Sequence, residues 1–215
     1  MRLEKKTAIV VGGGQQPGDS IGNGKATCVL FAREGAHVAV VDNQMERAQD
    51  TVSMIKSEGG QAFPLVADVT SETELRKMIA DAHEKMGRID ILHNNVGFSL
   101  AGGDTIIDDI TEENFDRVMT VNLRGMVMTC KHVLPIMRAQ KSGAIVSISS
   151  MAAIESYPYV TYKTSKAGVV AMTEQLAYMN SEHGIRANVI LPGLMHTAMA
   201  IDARVTAEKS RDQVI

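Results

Sequence analysis

The chain has 215 residues, 45% hydrophobic and 22% charged, an ordinary globular composition with enough apolar mass for one large core. Its 22 basic and 25 acidic residues leave a net charge of −3, which gives no electrostatic footprint for nucleic acid. No apolar run approaches the roughly 18 residues that span a membrane.

Met1 to Lys6 carries charge and runs straight into Thr7-Ala8-Ile9-Val10-Val11, without the apolar stretch of a secretion signal, so the expected location is the cytoplasm. Residues 7–11 predict a buried strand. Gly24 to Glu34 predicts a helix stopped by Gly35. His37 to Val41 is a second strand, Gln44 to Glu58 a helix ended by Gly59-Gly60, and Ala62 to Ala67 a third strand. Ser71, with Glu74 three residues on, is a capping box opening a helix that ends at Gly87. Ile89 to His93 is the fourth strand. A long helical region covers Glu112 to Ala139, with an internal Gly125 and an expected kink near Pro135. Ala144 to Ile148, a helix from Tyr159 to Ser181, and Ile185 to Leu191 complete the pattern. Two cysteines, Cys28 and Cys130, are too few and too distant for a disulfide framework or a zinc site; they read as buried apolar side chains, and no metal is expected.

Short β-branched strands alternating with helices imply a parallel sheet covered on both faces. Right-handed crossovers make it a doubly wound, Rossmann-like α/β fold, here one domain over residues 1–215.

The first strand ends in Gly12-Gly13-Gly14-Gln15-Gln16-Pro17-Gly18-Asp19-Ser20-Ile21-Gly22-Asn23-Gly24. Glycines let a backbone take φ > 0 or approach a phosphate closely, and the helix that follows offers free N–H groups to a pyrophosphate. Asp42 ends the second strand, where a carboxylate accepts hydrogen bonds from the adenosine ribose hydroxyls and repels a 2′-phosphate; a plain helix cap is the alternative. Asn43 follows and no Arg or Lys comes immediately after, which favours NAD. Asp68 ends the third strand and reads as an adenine contact or a turn residue. Asn94-Asn95-Val96-Gly97 follows the fourth strand at the same sheet edge.

Tyr162 and Lys166 are four apart in a predicted helix and share a face. A phenol with a pKa near 10 is a poor base at neutrality, but a neighbouring ammonium favours the phenolate and lowers that pKa. Tyr162 can then take a proton from an alcohol or return it to a carbonyl, and a serine hydroxyl at the end of the fifth strand, in Ser149-Ser150, can hold the reacting oxygen.

On these residues the chain resembles the short-chain dehydrogenase/reductase family over residues 5 to 200. The glycine turn, Asp42, Asp68-Val69, Asn94-Asn95-Val96-Gly97, Asn122, Ser150, Tyr162-Lys163-Thr164-Ser165-Lys166, and Pro192-Gly193 with Thr197 carry the likeness. It implies NAD as cofactor and a small-molecule alcohol or ketone as substrate. Tyr162 would be the acid/base, with Lys166 binding the nicotinamide ribose, Ser150 polarising the substrate oxygen, and Asn122 positioning a water that joins Lys166 to a proton relay. Cofactor contacts would come from Gly12, Ile21, Gly22, Gly24, Asp42, Asp68, Val69, Asn95, Gly97, Tyr162, Lys166, Pro192, Gly193 and Thr197. Ser150, Tyr157, Tyr159 and His196 would line the substrate pocket, with Met151 and Met195 beside them. The likeness also implies a homo-oligomer, dimer or tetramer. His93 reads as a strand residue packed beneath the cofactor rather than as a base.

The sequence departs from the family pattern in four ways. Nine residues separate Gly12 from Gly22, six more than usual, which leaves Gly13, Gly14 and Gly18 without assigned roles. Val11 and Val96 replace the usual threonine and alanine. Ser150 lies twelve residues before Tyr162 and Ser149 thirteen, the commoner family spacing. The chain stops at Ile215, so 193–215 reads as a partial substrate loop with the C-terminal strand missing, leaving the sixth strand as an exposed edge. A non-catalytic dinucleotide-binding or scaffold protein of the same fold is the alternative reading.

Overall fold

In the computed structural model, which describes residues 1–16, 20–197 and 201, every strand pairs in parallel. The strands are β1 (Thr7–Val11), β2 (His37–Asp42), β3 (Gln61–Val66), β4 (Ile91–Asn94), β5 (Gly143–Ile148) and β6 (Ile185–Ile190), in the spatial order β3-β2-β1-β4-β5-β6. The order reverses between β1 and β4, and at such a switch point the strand ends diverge into a crevice. The helices are α1 (Asn23–Arg33), α2 (Met45–Ser57), α3 (Glu72–Met86), α4 (Glu112–Met119), α5 (Gly125–Gln140) and α6 (Val160–Asn180). None of the described helices is long and apolar enough to cross a membrane.

The strand period of two divides the core between the faces of the sheet. Val10, Val38 and Val40 pack with Cys28 and Val29 of α1 and Val52 and Ile55 of α2. Ile9, Val11, Ala39 and Val41 pack on the other face with Leu75 and Ile79 of α3 and Cys130, Val133 and Met137 of α5. Both cysteines are free and buried, and burial raises both thiol pKa values, that of Cys130 to about 12. β6 lies at the sheet edge among the described residues. It alternates, with Ile185 buried while Arg186, Asn188 and Ile190 are exposed, so among the described residues only one face of this strand is covered.

Two local readings change. The Ser71 side chain accepts from Glu74 N–H at 3.3 Å, but the reciprocal half of the box is redirected: the Glu74 carboxylate accepts from Asp68 N–H at 3.0 Å. The long helical region also carries an irregularity upstream of Pro135 that the sequence did not announce. α5 continues through Pro135 to Gln140, whereas Thr120–Arg124, between α4 and α5, is a π-helical turn. Such turns displace one residue from the α pattern and often mark functional positions. Asn122 lies within this turn.

Candidate active site

A cleft of about 870 Å³ opens at the carboxyl ends of the strands, over the switch point, a size typical of sites that bury a small ligand. The glycine turn forms its floor. Gly12, at φ +82°, and Gly13 both donate their N–H to the Val41 carbonyl at 2.9 Å. A side chain on Gly24 would put Cβ 1.8 Å from the Gly12 carbonyl oxygen, so α1 starts against bare backbone. Asn95 Nδ2 donates to that same oxygen at 3.1 Å, which ties the end of β4 to the turn.

Two of the three glycines left without assigned roles, Gly13 and Gly14, have steric reasons. A Cβ on Gly13 would stand 2.6 Å from Cys28 Sγ, and one on Gly14 2.6 Å from Asp42 Oδ2. Gln15 closes the far side of the loop. Its carboxamide accepts from Gly22 N–H and donates to the Ser20 carbonyl at 2.7 Å. A Cβ on Gly22 would meet only the Gln15 side chain, at an ordinary contact distance of 3.4 Å or more. Gly18 lies outside the described residues. Ile21 is exposed and lies outside the lining of the cleft.

Asp42 and Arg47 line one end. Burial raises the Asp42 carboxyl pKa, opposed by the Gln44 N–H that donates to its Oδ1 at 3.1 Å and by the charge of Arg47. Arg47 is a residue the sequence reading missed: it stands in the first turn of α2, beyond the positions directly after Asp42. Asp68 takes the turn role and also borders the cleft. Its Oδ1 accepts from the N–H and the hydroxyl of Thr70, each at 2.8 Å. Val69 lines the cleft beside it, and a Cβ on Gly125 would be 2.9 Å from the Val69 carbonyl oxygen, which explains the glycine where α5 begins.

α6 supplies the other end. Thr161, Ser165, Lys166, Val169 and Thr173 form its buried stripe. Lys166 is 3% exposed, its Nζ stands 5.7 Å from the centroid of the Tyr162 ring, and it donates to the Ile148 carbonyl at 2.9 Å. Desolvation lowers its pKa to about 8. Gly97 passes so close that a Cβ would be 2.8 Å from Lys166 Nζ. Asn122 is wholly buried behind the cleft. Its carboxamide oxygen accepts from Phe98 N–H at 2.9 Å, while its nitrogen donates to the Phe98 carbonyl at 2.8 Å and to Ser165 Oγ at 3.1 Å.

Both candidate serines line the cleft, but their hydroxyls differ. Ser149 Oγ donates to the Lys166 backbone carbonyl at 2.7 Å, whereas Ser150 Oγ accepts a longer bond from Ala152 N–H at 3.2 Å. Tyr157 lines the cleft with its ring 5.4 Å from that of Tyr162. Pro192, Gly193, Thr197, Met151 and Met195 also reach the lining; Tyr159 and His196 do not, Tyr159 preceding α6 and His196 being exposed. His93 is 4% exposed, edge-on to Phe31, and burial lowers its pKa to about 4.

This arrangement fits a dinucleotide. Bare backbone at Gly12 and Gly24 occupies a cradle that any side chain would fill, a half-buried carboxylate stands at one end, and a phenol paired with a buried amine stands at the other.

Comparison with known proteins agrees with that geometry. The family model for short chain dehydrogenases matches residues 6–208. The 3-oxoacyl-[acyl-carrier-protein] reductase FabG of Thermotoga maritima is 35% identical over all of this chain and 83% of its own length. Among solved structures, a 7α-hydroxysteroid dehydrogenase complexed with NADH and 7-oxo glycochenodeoxycholic acid superposes with a TM-score of 0.87 at 35% identity, covering 96% of this chain and 77% of that one. An NAD+-bound xylitol dehydrogenase gives 0.85 at 30% identity, covering 99% and 82%.

Proposed function

The chain belongs to the short-chain dehydrogenase/reductase family, and from that premise we propose that it is an NAD-dependent oxidoreductase interconverting a secondary alcohol and a ketone. The observation that carries this reading is the presence of Tyr162, Lys166 and Ser150 in the lining of one cleft with Asp42 and the glycine turn. The bound nicotinamide supplies or accepts the hydride.

Asp42 would accept hydrogen bonds from the adenosine ribose, and the backbone from Gly22 to Gly24, at the positive end of α1, would hold the pyrophosphate. Pro192, Gly193 and Thr197, which line the cleft, would flank the nicotinamide. Ser150 holds the reacting oxygen. Tyr162 takes the alcohol proton in oxidation and gives it back in reduction. Lys166 is mostly a cation below its pKa of about 8, and so favours the phenolate. Asn122 holds Phe98 and Ser165 in place; its bonds to both support a structural part in any relay through Lys166. The reading includes a cytosolic homo-oligomer, dimer or tetramer.

A panel of secondary alcohols headed by cyclohexanol and xylitol, assayed with NAD and with NADP by absorbance of the reduced cofactor, tests the reading. Turnover of at least one alcohol with a preference for NAD supports it. Tight NADH binding with no turnover across alcohols and ketones makes the chain a non-catalytic dinucleotide-binding protein instead.

A further inference from the structure

A proton carrier must be held at a fixed height in its cleft, yet the turn that bears Tyr162 has no cap of its own. Tyr159, which precedes α6, makes no side-chain capping bond, although the first N–H groups of a helix lack partners within it. One of these groups is satisfied from far away in the sequence. Tyr162 N–H donates to Asp104 Oδ2 at 3.0 Å, and the same oxygen accepts from Ser99 Oγ at 3.2 Å. Asp104 is 4% exposed, follows a turn at Gly103 with φ +84°, and its Oδ1 is buried with no protein partner among the described residues.

The other backbone group of Tyr162 is tied as well. Its carbonyl accepts from Ser165 Oγ at 2.8 Å, and that hydroxyl accepts from Asn122, whose carboxamide grips the Phe98 backbone. Both backbone polar groups of Tyr162 are therefore fastened, through Asp104 or Asn122, to the segment from Phe98 to Asp104. Phe98 and Ser99 of that segment line the cleft, and Ser99 Oγ lies 3.5 Å from the Tyr157 hydroxyl.

We propose that Asp104 is a positioning residue: it is a cap supplied in trans to α6, and it sets the place of the Tyr162 phenol relative to the cleft wall at Ser99. This rests on the reading of Tyr162 as the proton carrier. An oxygen acceptor at this point bonds an amide of the first helical turn, complements the positive end of the helix and holds the Ser99 hydroxyl. An apolar side chain of similar volume does none of these. Asparagine keeps the acceptor for both bonds and only exchanges an unpartnered oxygen for an unpartnered amide nitrogen.

The test compares Asp104→Leu and Asp104→Asn by amide hydrogen exchange and by steady-state kinetics on an alcohol the wild type turns over. Asp104→Leu should speed exchange at the Tyr162 amide by about tenfold or more while amides of β1 and α5 keep their protection. It should lower kcat by a similar factor with KM and NADH affinity little changed, and Asp104→Asn should restore both readouts. Asp104→Ser, with a shorter acceptor, takes the place of Asp104→Leu if the latter does not fold. Wild-type protection of the Tyr162 amide in Asp104→Leu overturns the proposal. So does lost protection with unchanged kcat, or an Asn variant as impaired as the Leu one. A wild-type protein inactive on the whole panel counts against the oxidoreductase reading instead, while the exchange measurement still decides whether Asp104 holds the Tyr162 turn.

Discussion

The amine of Lys166 lies over the Tyr162 ring, 5.7 Å from its centre, with its charge taken almost wholly out of water. A four-residue spacing makes these two side chains neighbours on a helix; burial decides what the neighbour can do. Desolvation disfavours the ammonium and brings its pKa down to about 8. Near neutrality the group is still mostly charged and can favour a phenolate. As pH rises through about 8 that support fades, so on the proposed reading turnover should fall above that pH.

Asp42 and Arg47 share the other end of the cleft with opposite charge. Asp42→Ala should move preference from NAD toward NADP by about tenfold or more, roughly 1.4 kcal/mol, because a repulsive carboxylate goes while a guanidinium stays. The Asp42→Ala/Arg47→Ala double variant should lose most of that gain. Dissociation constants for the two cofactors, measured at one salt concentration, check this; an unchanged ratio in Asp42→Ala removes its ribose role.

The two adjacent serines should separate chemistry from stability. Ser149 donates its hydroxyl to the Lys166 carbonyl inside the core, so Ser149→Ala should cost about 1 kcal/mol or somewhat more in urea unfolding with modest loss of turnover. Ser150→Ala should leave the unfolding midpoint nearly unchanged and lower kcat by roughly 10²-fold or more. The reverse pattern would transfer the substrate-holding role to Ser149.

His93 gives the fold a pH dependence of its own. Neither ring nitrogen has a hydrogen-bond partner among the described residues, and burial lowers the pKa from 6.5 to about 4. As pH falls below 6.5 the unfolded chain takes up the proton before the folded one does, so stability present above that pH is lost progressively down to about 4. By about pH 5 the loss should be roughly 2 kcal/mol. Urea unfolding of wild type and His93→Leu at about pH 7 and pH 5 reads the difference: the variant should lose less stability on acidification, and an equal loss would show that the ring is protonated in the fold.

Much of this was legible in the sequence because it rests on local periodicity. The apolar runs of β1, β2 and β4, the Ser71 cap and the Tyr162-Lys166 spacing are short-range signals, and the structure places them where those signals point. The π turn at Asn122 was hidden because Thr120–Arg124 continues a helical pattern without a break in composition, while Pro135, a strong breaker in isolation, is accommodated within α5. Gly13 and Gly14 could not be explained before Cys28 and Asp42 were known to press on them. Arg47 escaped because the relevant distance crosses a strand–helix corner. Asp104 escaped because 58 positions separate it from Tyr162, and no spacing rule connects a loop after β4 to the start of α6.

The most direct test of the central claim is Tyr162→Phe, assayed for NADH affinity and for turnover of the same alcohol on one preparation. Removing only the hydroxyl should leave the NADH dissociation constant within about threefold while lowering kcat by roughly 10³-fold. A variant that binds NADH normally and turns over at the wild-type rate would contradict the account, because the proton would then travel through some other group.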